Sequence, residues 1–327
     1  MRSAELIARV LIGAALLVSV AVPLILWWRT PLVHAQMAED GGWSPSAFRA
    51  AVGEPLQLHL TSDDVVHGFA VGKLDFQPVD ILPGKVTDVT LLFDDPGTYT
   101  FYCTRWCGLN HWRMRGTIEV SGEPAADGPR SPRGGPLYVS LGIDLDASRS
   151  APVVPAHKPA ARAPTAELAS YMSVDYYRSH SPYEAWQQLG ADPAFERLDD
   201  AELWDLTASI WRGNTTASAL AEGRQLFAQN CAACHGESGS GNGVFSDDMA
   251  AAGAAPAPAI RDDTAMFQSP ADLAEPQRML SASPALLQGK ILRGGMGTGM
   301  PSWGPIFTEG QTWSLVAFIY SFQFDYH

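Results

Sequence analysis

The spacing of apolar positions along this 327-residue chain changes character three times. Residues 10–28 form an uncharged apolar block of nineteen residues, close to the roughly 20 needed to cross a bilayer as a helix. Between residues 43 and 120 the period falls to two. "PLQLHLTS" and "VTDVTLLF" alternate apolar and polar positions as half-buried strands do, and "TYTFYC" adds a further strand. "LPGK" at 82–85 and "DDPG" at 94–97 are the turn signals between them. Short strands separated by turns predict a small all-β sandwich or barrel over residues 36–122. Periodicity then disappears over 123–166, where "SGEPAADGPRSPRGGP" and "SAPVVPAHKPAARAPTAE" have the Pro/Ala/Gly-rich composition of a linker. "LYVSLGIDL" between them reads as a segment that packs locally against one domain. From 167 onward the spacing is helical. "LDDAELWDLTASIWR" (198–212) puts Leu203, Leu206 and Ile210 on one face behind an acidic start, and 216–230 and 308–322 predict two more helices. Residues 167–214 thus form a helical extension and 215–327 an all-α domain.

Charge orients the apolar block, residues 1–35 being the anchor segment. Arg2, Arg9 and the amino terminus precede it, which places the N-terminus in the cytoplasm. Trp27 and Trp28 would sit at the far interface, and Pro23 is tolerable inside a membrane helix. "VHA" at 33–35 loosely resembles a signal-peptidase site, but signal h-regions are about 7–15 residues, shorter than this block. The reading is an uncleaved single-pass anchor, with everything after residue 30 outside the cytoplasm. A formal charge of −13 argues against nucleic acid as a partner. Trp204, Leu206, Ala208, Ile210 and Trp211 align with Trp313, Leu315, Ala317, Ile319 and Tyr320. The alignment raises the idea of a degenerate second copy of the C-terminal domain; convergent amphipathic spacing is the preferred explanation.

Two motifs carry chemistry. "YCTRWCGLNHWRM" (102–114) concentrates Cys103, Cys107, His111 and Met114 at gaps of three or four residues, so one tight loop can turn all four to a point. Thiolate, imidazole and thioether form a soft donor set suited to copper. A second cysteine lets two thiolates bridge two copper ions, each then needing a terminal histidine, and "SDDVVHGFAV" supplies His67. "CAACH" (231–235) fits C-x-x-C-H, the signature of c-type haem attachment, through thioethers from Cys231 and Cys234 with His235 as proximal ligand. A thioredoxin-like pair would want a βαβ setting and a zinc site a second ligand pair; neither is present. "LRGGMGTGMPSWG" offers Met300 as distal ligand, ahead of Met296. A carbonyl from 255–260 is the candidate acceptor for the His235 ring N–H. "GSGNG" (239–243) follows no strand and reads as a loop, not a nucleotide site. His34, His59, His157, His180 and His327 have no partners at ligand spacing.

Residues 43–120, through "SDDVVHGF", "ILPGKVTDVTLLFDDPGTYTFYC" and "CGLNHWRMRGTIEV", resemble the binuclear copper (copper A) domain of subunit II of haem-copper oxidases, a Greek-key cupredoxin. Residues 215–325, through "CAACH" and "GMPSWG", resemble class I cytochromes c. The resemblance implies His67, Cys103, Cys107, His111 and Met114 as side-chain ligands, with the backbone carbonyl of Arg105 as the sixth. A Cys103–Cys107 disulfide or a structural metal would leave His67, His111 and Met114 unexplained. Many family members carry Glu where Arg105 stands, and that Glu helps hold a magnesium ion, which an arginine side chain cannot do. No tryptophan-rich docking segment precedes "PLQLHL", and with the single span the chain looks like the shorter subunit II of B-type oxidases. Asp64 also matches a family position near the electron path, but reads as a surface carboxylate at a strand end. Glu5 resembles a proton-uptake glutamate of some B-type oxidases, and reads as a solvated charge at a helix start.

The resemblance implies a non-catalytic electron-transfer subunit of a membrane haem-copper terminal oxidase. Electrons from a soluble or membrane-bound donor would pass through covalent haem c to the binuclear copper, and on to a catalytic subunit that reduces oxygen to water. The copper and haem domains would face the periplasmic or extracellular side of a bacterial cytoplasmic membrane. The alternative is the electron-entry subunit of a copper A-containing nitric oxide reductase. A nitrous oxide reductase needs a further copper cluster with many histidines, which this chain lacks. A copper carrier would not need a covalent haem.

Overall fold

The computed structural model describes residues 11–12, 30–108, 111–124, 135–246, 269–295 and 300–326. The expected anchor at 10–28 and Glu5 lie almost wholly outside these residues. Among the described residues no helix is long and apolar enough to cross a membrane. The chain divides into two compact units, Met1–Arg130 and Ser131–His327.

In the first unit the described residues from Leu32 to Ser121 are built mainly of strands. Its strands are β1 (Leu32–Ala35), β2 (Trp43–Ser44), β3 (Ala47–Ala51), β4 (Leu56–Ser62), β5 (His67–Val71), β6 (Val79–Ile81), β7 (Thr87–Leu91), β8 (Gly97–Tyr102) and β9 (Arg115–Ser121). They form two sheets, ordered β2-β1-β4-β7 and β3-β9-β8-β5-β6. The period-two pattern is realised as burial: Val89 and Leu91 on β7, and Ile118 and Val120 on β9, point inward, while Thr90 and Glu119 face solvent. β4 departs from it, because His59 is also buried and its ring bonds Asp88 on the neighbouring strand. Trp43 meets Phe69 and Phe101 edge-on at 5.8 and 5.5 Å, and this aromatic knot shares one apolar cluster with Cys103, Cys107 and Met114. The loop that carries the sulfurs is therefore an extension of the core.

The second unit is helical: α1 (Leu137–Ser140), α2 (Val174–Ser179), α3 (Pro182–Ala191), α4 (Asp200–Gly213), α5 (Ala217–Asn230), α6 (Ala232–His235), α7 (Pro276–Met279), α8 (Pro284–Arg293) and α9 (Glu309–Tyr320). Capping boxes start α3 (Ser181 with Glu184), α4 (Asp199 with Glu202) and α9 (Thr308 with Gln311), satisfying backbone N–H groups that a helix start leaves open. α5 and α9 cross almost backbone to backbone at Gly223. A Cβ there would lie 2.1 Å from the Ser314 carbonyl oxygen, so only glycine permits the crossing.

The stretch expected as a linker is, in its second half, laid along this unit. Ala151 N–H donates to Gln277 O, and Ala161 N–H and Asp325 N–H exchange bonds with Asp325 O and Pro159 O. Asp146 accepts from Arg293 and Lys290, while Leu145 and Ala151 are buried. A Pro/Ala-rich strand cannot build a core, but it can finish the edge of another. The two helices whose sequences echo one another are packed differently. Trp204 is buried and stacks on Trp186 of α3 at 5.3 Å, whereas its counterpart Trp313 is partly exposed beneath the Arg178 guanidinium. Ser314 presses on Gly223, but its counterpart Asp205 bonds Arg162 and the Ala160 N–H.

Candidate functional site

The loop from Cys103 to Met114 leaves β8 and returns as β9, closed at its neck by Cys103 N–H to Met114 O at 3.1 Å. A 3₁₀ turn at His111–Arg113 swings His111 back over it. The two thiols lie 3.9 Å apart and are not joined. Around them converge His67 Nδ1 (3.8 Å from Cys103 Sγ), His111 Nδ1 (3.6 Å from Cys107 Sγ), Met114 Sδ (3.3 Å from Cys107 Sγ) and Arg105 O (3.1 Å from Cys103 Sγ). All six expected groups are thus brought together, and Cys103, Cys107, His67 and Met114 are buried. His67, Cys103 and Cys107 can each aim a donor atom into one point.

His67 comes from the start of β5, on a different strand from the loop, and its ring is held in one orientation. Its Nε2 donates to Asp64 Oδ1 at 2.7 Å, which leaves the Nδ1 lone pair facing the sulfurs. Asp64 is therefore no free surface carboxylate: its side chain is only 22% exposed and also accepts Met37 N–H and Val65 N–H, both at 2.6 Å. Burial works to raise its carboxyl, but the bonds from His67, Met37 and Val65 outweigh it and hold the group below its ordinary value. Burial likewise opposes a charged His67, and bonds to Cys103 and Asp64 outweigh that and raise it. The hydrogen bond between the thiols holds Cys103 low and pushes Cys107 up, since two thiolates so close repel unless cations lie between them. Two thiols, two imidazole nitrogens, a thioether and a carbonyl are a donor set that fits two copper ions.

The Arg105 side chain turns away from this cluster. Its Nε and a terminal nitrogen donate to the two carboxylate oxygens of Asp80 on β6, each at 2.8 Å.

In the second unit Cys231, Cys234 and His235 lie within one turn at the junction of α5 and α6, both cysteines as free thiols. Burial, with Cys234 beside it, pushes the Cys231 thiol up to about 12. His235 Nδ1 donates to a carbonyl at 3.0 Å, and that carbonyl belongs to Ala271, not to 255–260, which lie outside the described residues. The bond leaves Nε2 as the free ring nitrogen, and burial lowers the ring's affinity for a second proton. Neutral imidazole with a free Nε2 beside two free thiols fits a covalently attached haem. Met300 follows α8, its carbonyl accepting Gly295 N–H at 3.1 Å; Met296 lies outside the described residues. Of the remaining histidines, His34 bonds Asp63 at 2.8 Å and His180 bonds Tyr176 O at 3.0 Å; His327 is outside the described residues.

A two-sheet β unit with a Cys/His/Met cluster and a helical unit with a C-x-x-C-H turn are a cupredoxin-like domain followed by a cytochrome c domain. Residues 48–121 match the family described as cytochrome c oxidase subunit II, periplasmic domain, and residues 218–319 match cytochrome c oxidase, cbb3-type, subunit III. Cytochrome c oxidase subunit 2 of Thermus thermophilus is 39% identical over 79 residues, 24% of this chain and 58% of the relative. The nitrous-oxide reductase of Ralstonia nicotianae is 33% identical over 82 residues, 24% of this chain and 12% of that enzyme. A solved heme-copper terminal oxidase dimer is 28% identical, with a TM-score of 0.24, over 28% of this chain and 65% of its own. The chain spans less than two thirds of the length of each of these relatives. By these matches it joins an oxidase subunit II periplasmic-type domain to a cbb3-type cytochrome c domain.

Proposed function

We propose that this chain is the electron-entry subunit of a membrane haem-copper terminal oxidase, anchored by residues 10–28 with both redox domains outside the cytoplasm. His67, Cys103, Cys107, His111, Met114 and the Arg105 carbonyl would hold two copper ions. Cys231, Cys234, His235 and Met300 would hold one haem. Bound there, copper and haem each exchange single electrons, so the chain takes electrons from a donor and delivers them to a catalytic partner that reduces oxygen. The observation that carries the reading is the convergence of two unjoined thiols with His67, His111 and Met114.

The residues do the rest of the work. Asp64 fixes the His67 tautomer, and the Ala271 carbonyl does the same for His235. Burial of the sulfurs excludes water, and a rigid donor set keeps the change in geometry between oxidation states small. Six donors leave no evident position for a substrate, which argues for transfer rather than catalysis at this cluster.

The test is to purify the complex from native membranes, count metals, and compare oxygen with nitric oxide consumption. Each copy of this chain is expected to hold two coppers and one covalent haem over and above the haem and copper of the catalytic partner, with brisk oxygen uptake. Robust nitric oxide turnover with negligible oxygen uptake would overturn the choice of acceptor, and a substoichiometric copper count would overturn the copper site.

A further inference from the structure

The side chain of Arg105 lies outside the ligand set, yet it is firmly anchored. Its planar fork meets both oxygens of Asp80 at 2.8 Å, a bidentate geometry that fixes direction as well as distance. Asp80 sits on β6 directly opposite Gly68 of β5, and Gly68 follows His67. Gly68 N–H in turn donates to Cys103 Sγ at 3.4 Å. A Cβ at Gly68 would lie 2.0 Å from Thr104 Oγ1 and 3.1 Å from Arg105 N, so the Thr104–Arg105 stretch lies flush against β5. From there the Arg105 side chain crosses β5 and grips the next strand. A loop and two strands are thereby stapled: the Thr104–Arg105 stretch, the strand bearing His67, and β6.

We propose that the Asp80–Arg105 pair is a clamp that fixes the carbonyl of residue 105 and Cys103 relative to His67, making Asp80 and Arg105 positioning residues of the copper site. The proposal rests on the copper reading given above. Both side chains are about half exposed (59% for Arg105, 47% for Asp80), so the pair adds little to the stability of the fold. What it supplies is aim. The backbone carbonyl has no side-chain rotamer to hold it, and its direction depends on how the 104–106 backbone is tethered. An exposed ion pair also has a signature that packing lacks: added salt weakens it.

The test uses the full chain, purified with its copper and haem, as wild type and as Asp80→Asn, Arg105→Gln, the double variant, and the exchange Asp80→Arg with Arg105→Asp. The readouts are copper content, release of copper to a chelator, the copper paramagnetic resonance spectrum, the copper reduction potential and the melting temperature of the metal-free chain. Each single variant should keep its copper and its melting temperature. Each should release copper about three- to fivefold faster at low salt, the yield of one exposed bidentate pair, with a shifted spectrum and potential. The double variant should be no worse than either single one, and the exchange should recover part of the loss. Rising salt should bring wild type toward the variants and leave the variants unmoved. A fully loaded chain whose release rate and spectrum ignore Asp80, or single effects that simply add, overturns the clamp while leaving the copper reading intact. A wild-type chain that holds no copper pair overturns both.

Discussion

Cutting Asp64 back to alanine removes the acceptor of His67, of two backbone amides and, at 3.4 Å, of the Ser62 hydroxyl, and tests whether His67 is aimed by its neighbour. The carboxylate takes the His67 Nε2–H at 2.7 Å, and the Met37 and Val65 N–H groups at 2.6 Å. A hydrogen bond to a charged group is worth about 1.5–3 kcal/mol, and an amide that loses its acceptor costs about 1 kcal/mol more. Val65 is 39% exposed, so water replaces that bond at little cost. The metal-free β unit should therefore lose about 3 kcal/mol. Copper affinity should fall by about 10- to 100-fold, because the ring loses the partner that turns Nδ1 toward Cys103. Asp64→Asn retains an acceptor of the same shape and should fall between wild type and Asp64→Ala. Asp63→Ala is the control, since the neighbouring Asp63 carboxylate meets the exposed groups His34 and Gln36 instead of His67. Urea unfolding of the metal-free full chain and a copper competition titration give the two quantities. Wild-type copper affinity in Asp64→Ala, or an equal loss in Asp63→Ala, refutes the idea that this carboxylate orients the ring.

Two other outcomes follow from the helical unit. Gly223→Ala puts a methyl 2.1 Å from Ser314 O and 2.8 Å from Phe318 Cβ, so α5 and α9 must part. Overpacking of about 1–3 kcal/mol or more outweighs the propensity gain of about 1 kcal/mol from losing a mid-helix glycine. Calorimetry should show a net loss of about 2 kcal/mol, a melting point lower by about 4–8 °C, and an unchanged melting point counts against the close crossing. Asp146 is held at about 2 by hydrogen bonds from Arg293 and Lys290, below its ordinary 3.8. Its contribution is full above pH 3.8 and is lost as pH falls toward 2, so amide protection around 137–151, taken relative to the intrinsic rate at each pH, should fall in that window for wild type. Asp146→Asn should exchange fast already at neutral pH; equal protection in both proteins rejects the anchoring role.

What could be read from the sequence was whatever repeats at short range. The strands of 43–120 follow from period two, and α4, α5 and α9 from helical spacing with acidic or threonine starts. Ser181-Pro182 with Glu184, and Ser283-Pro284, are cap signals for α3 and α8 that an attentive reading finds as well. The sulfurs of the loop were legible because four soft donors within twelve residues need no knowledge of the fold to meet. Pairings set by register were not legible. Arg105 and Asp80 are 25 residues apart, and they meet only because β6 aligns Asp80 with Gly68. Ala271 reaches His235 from 36 residues away. Asp64 looked like an exposed strand-end carboxylate because nothing local shows that Met37, from the turn after β1, folds over it.

The same distinction bears on the linker and on the helix echo. Pro and Ala forbid a segment its own core, but composition does not say whose edge the segment can complete. Pro159 and Ala161 answer this through backbone groups, exchanging bonds with Asp325, and backbone groups carry no mark in the sequence. The helix echo shows the same limit of local pattern. Trp204 and Trp313 share a register, but a register fixes only which residues share a face, not what that face meets. α4 turns its face to Trp186 and Tyr177, and through Trp211 to Tyr320 of α9 itself. The helix that resembled a copy of α9 is thus packed against α9, as a buttress for the cytochrome domain. α9 meets its close-packed partner at Gly223, whereas α4 presents Asp205 to Arg162 of the Pro/Ala-rich segment.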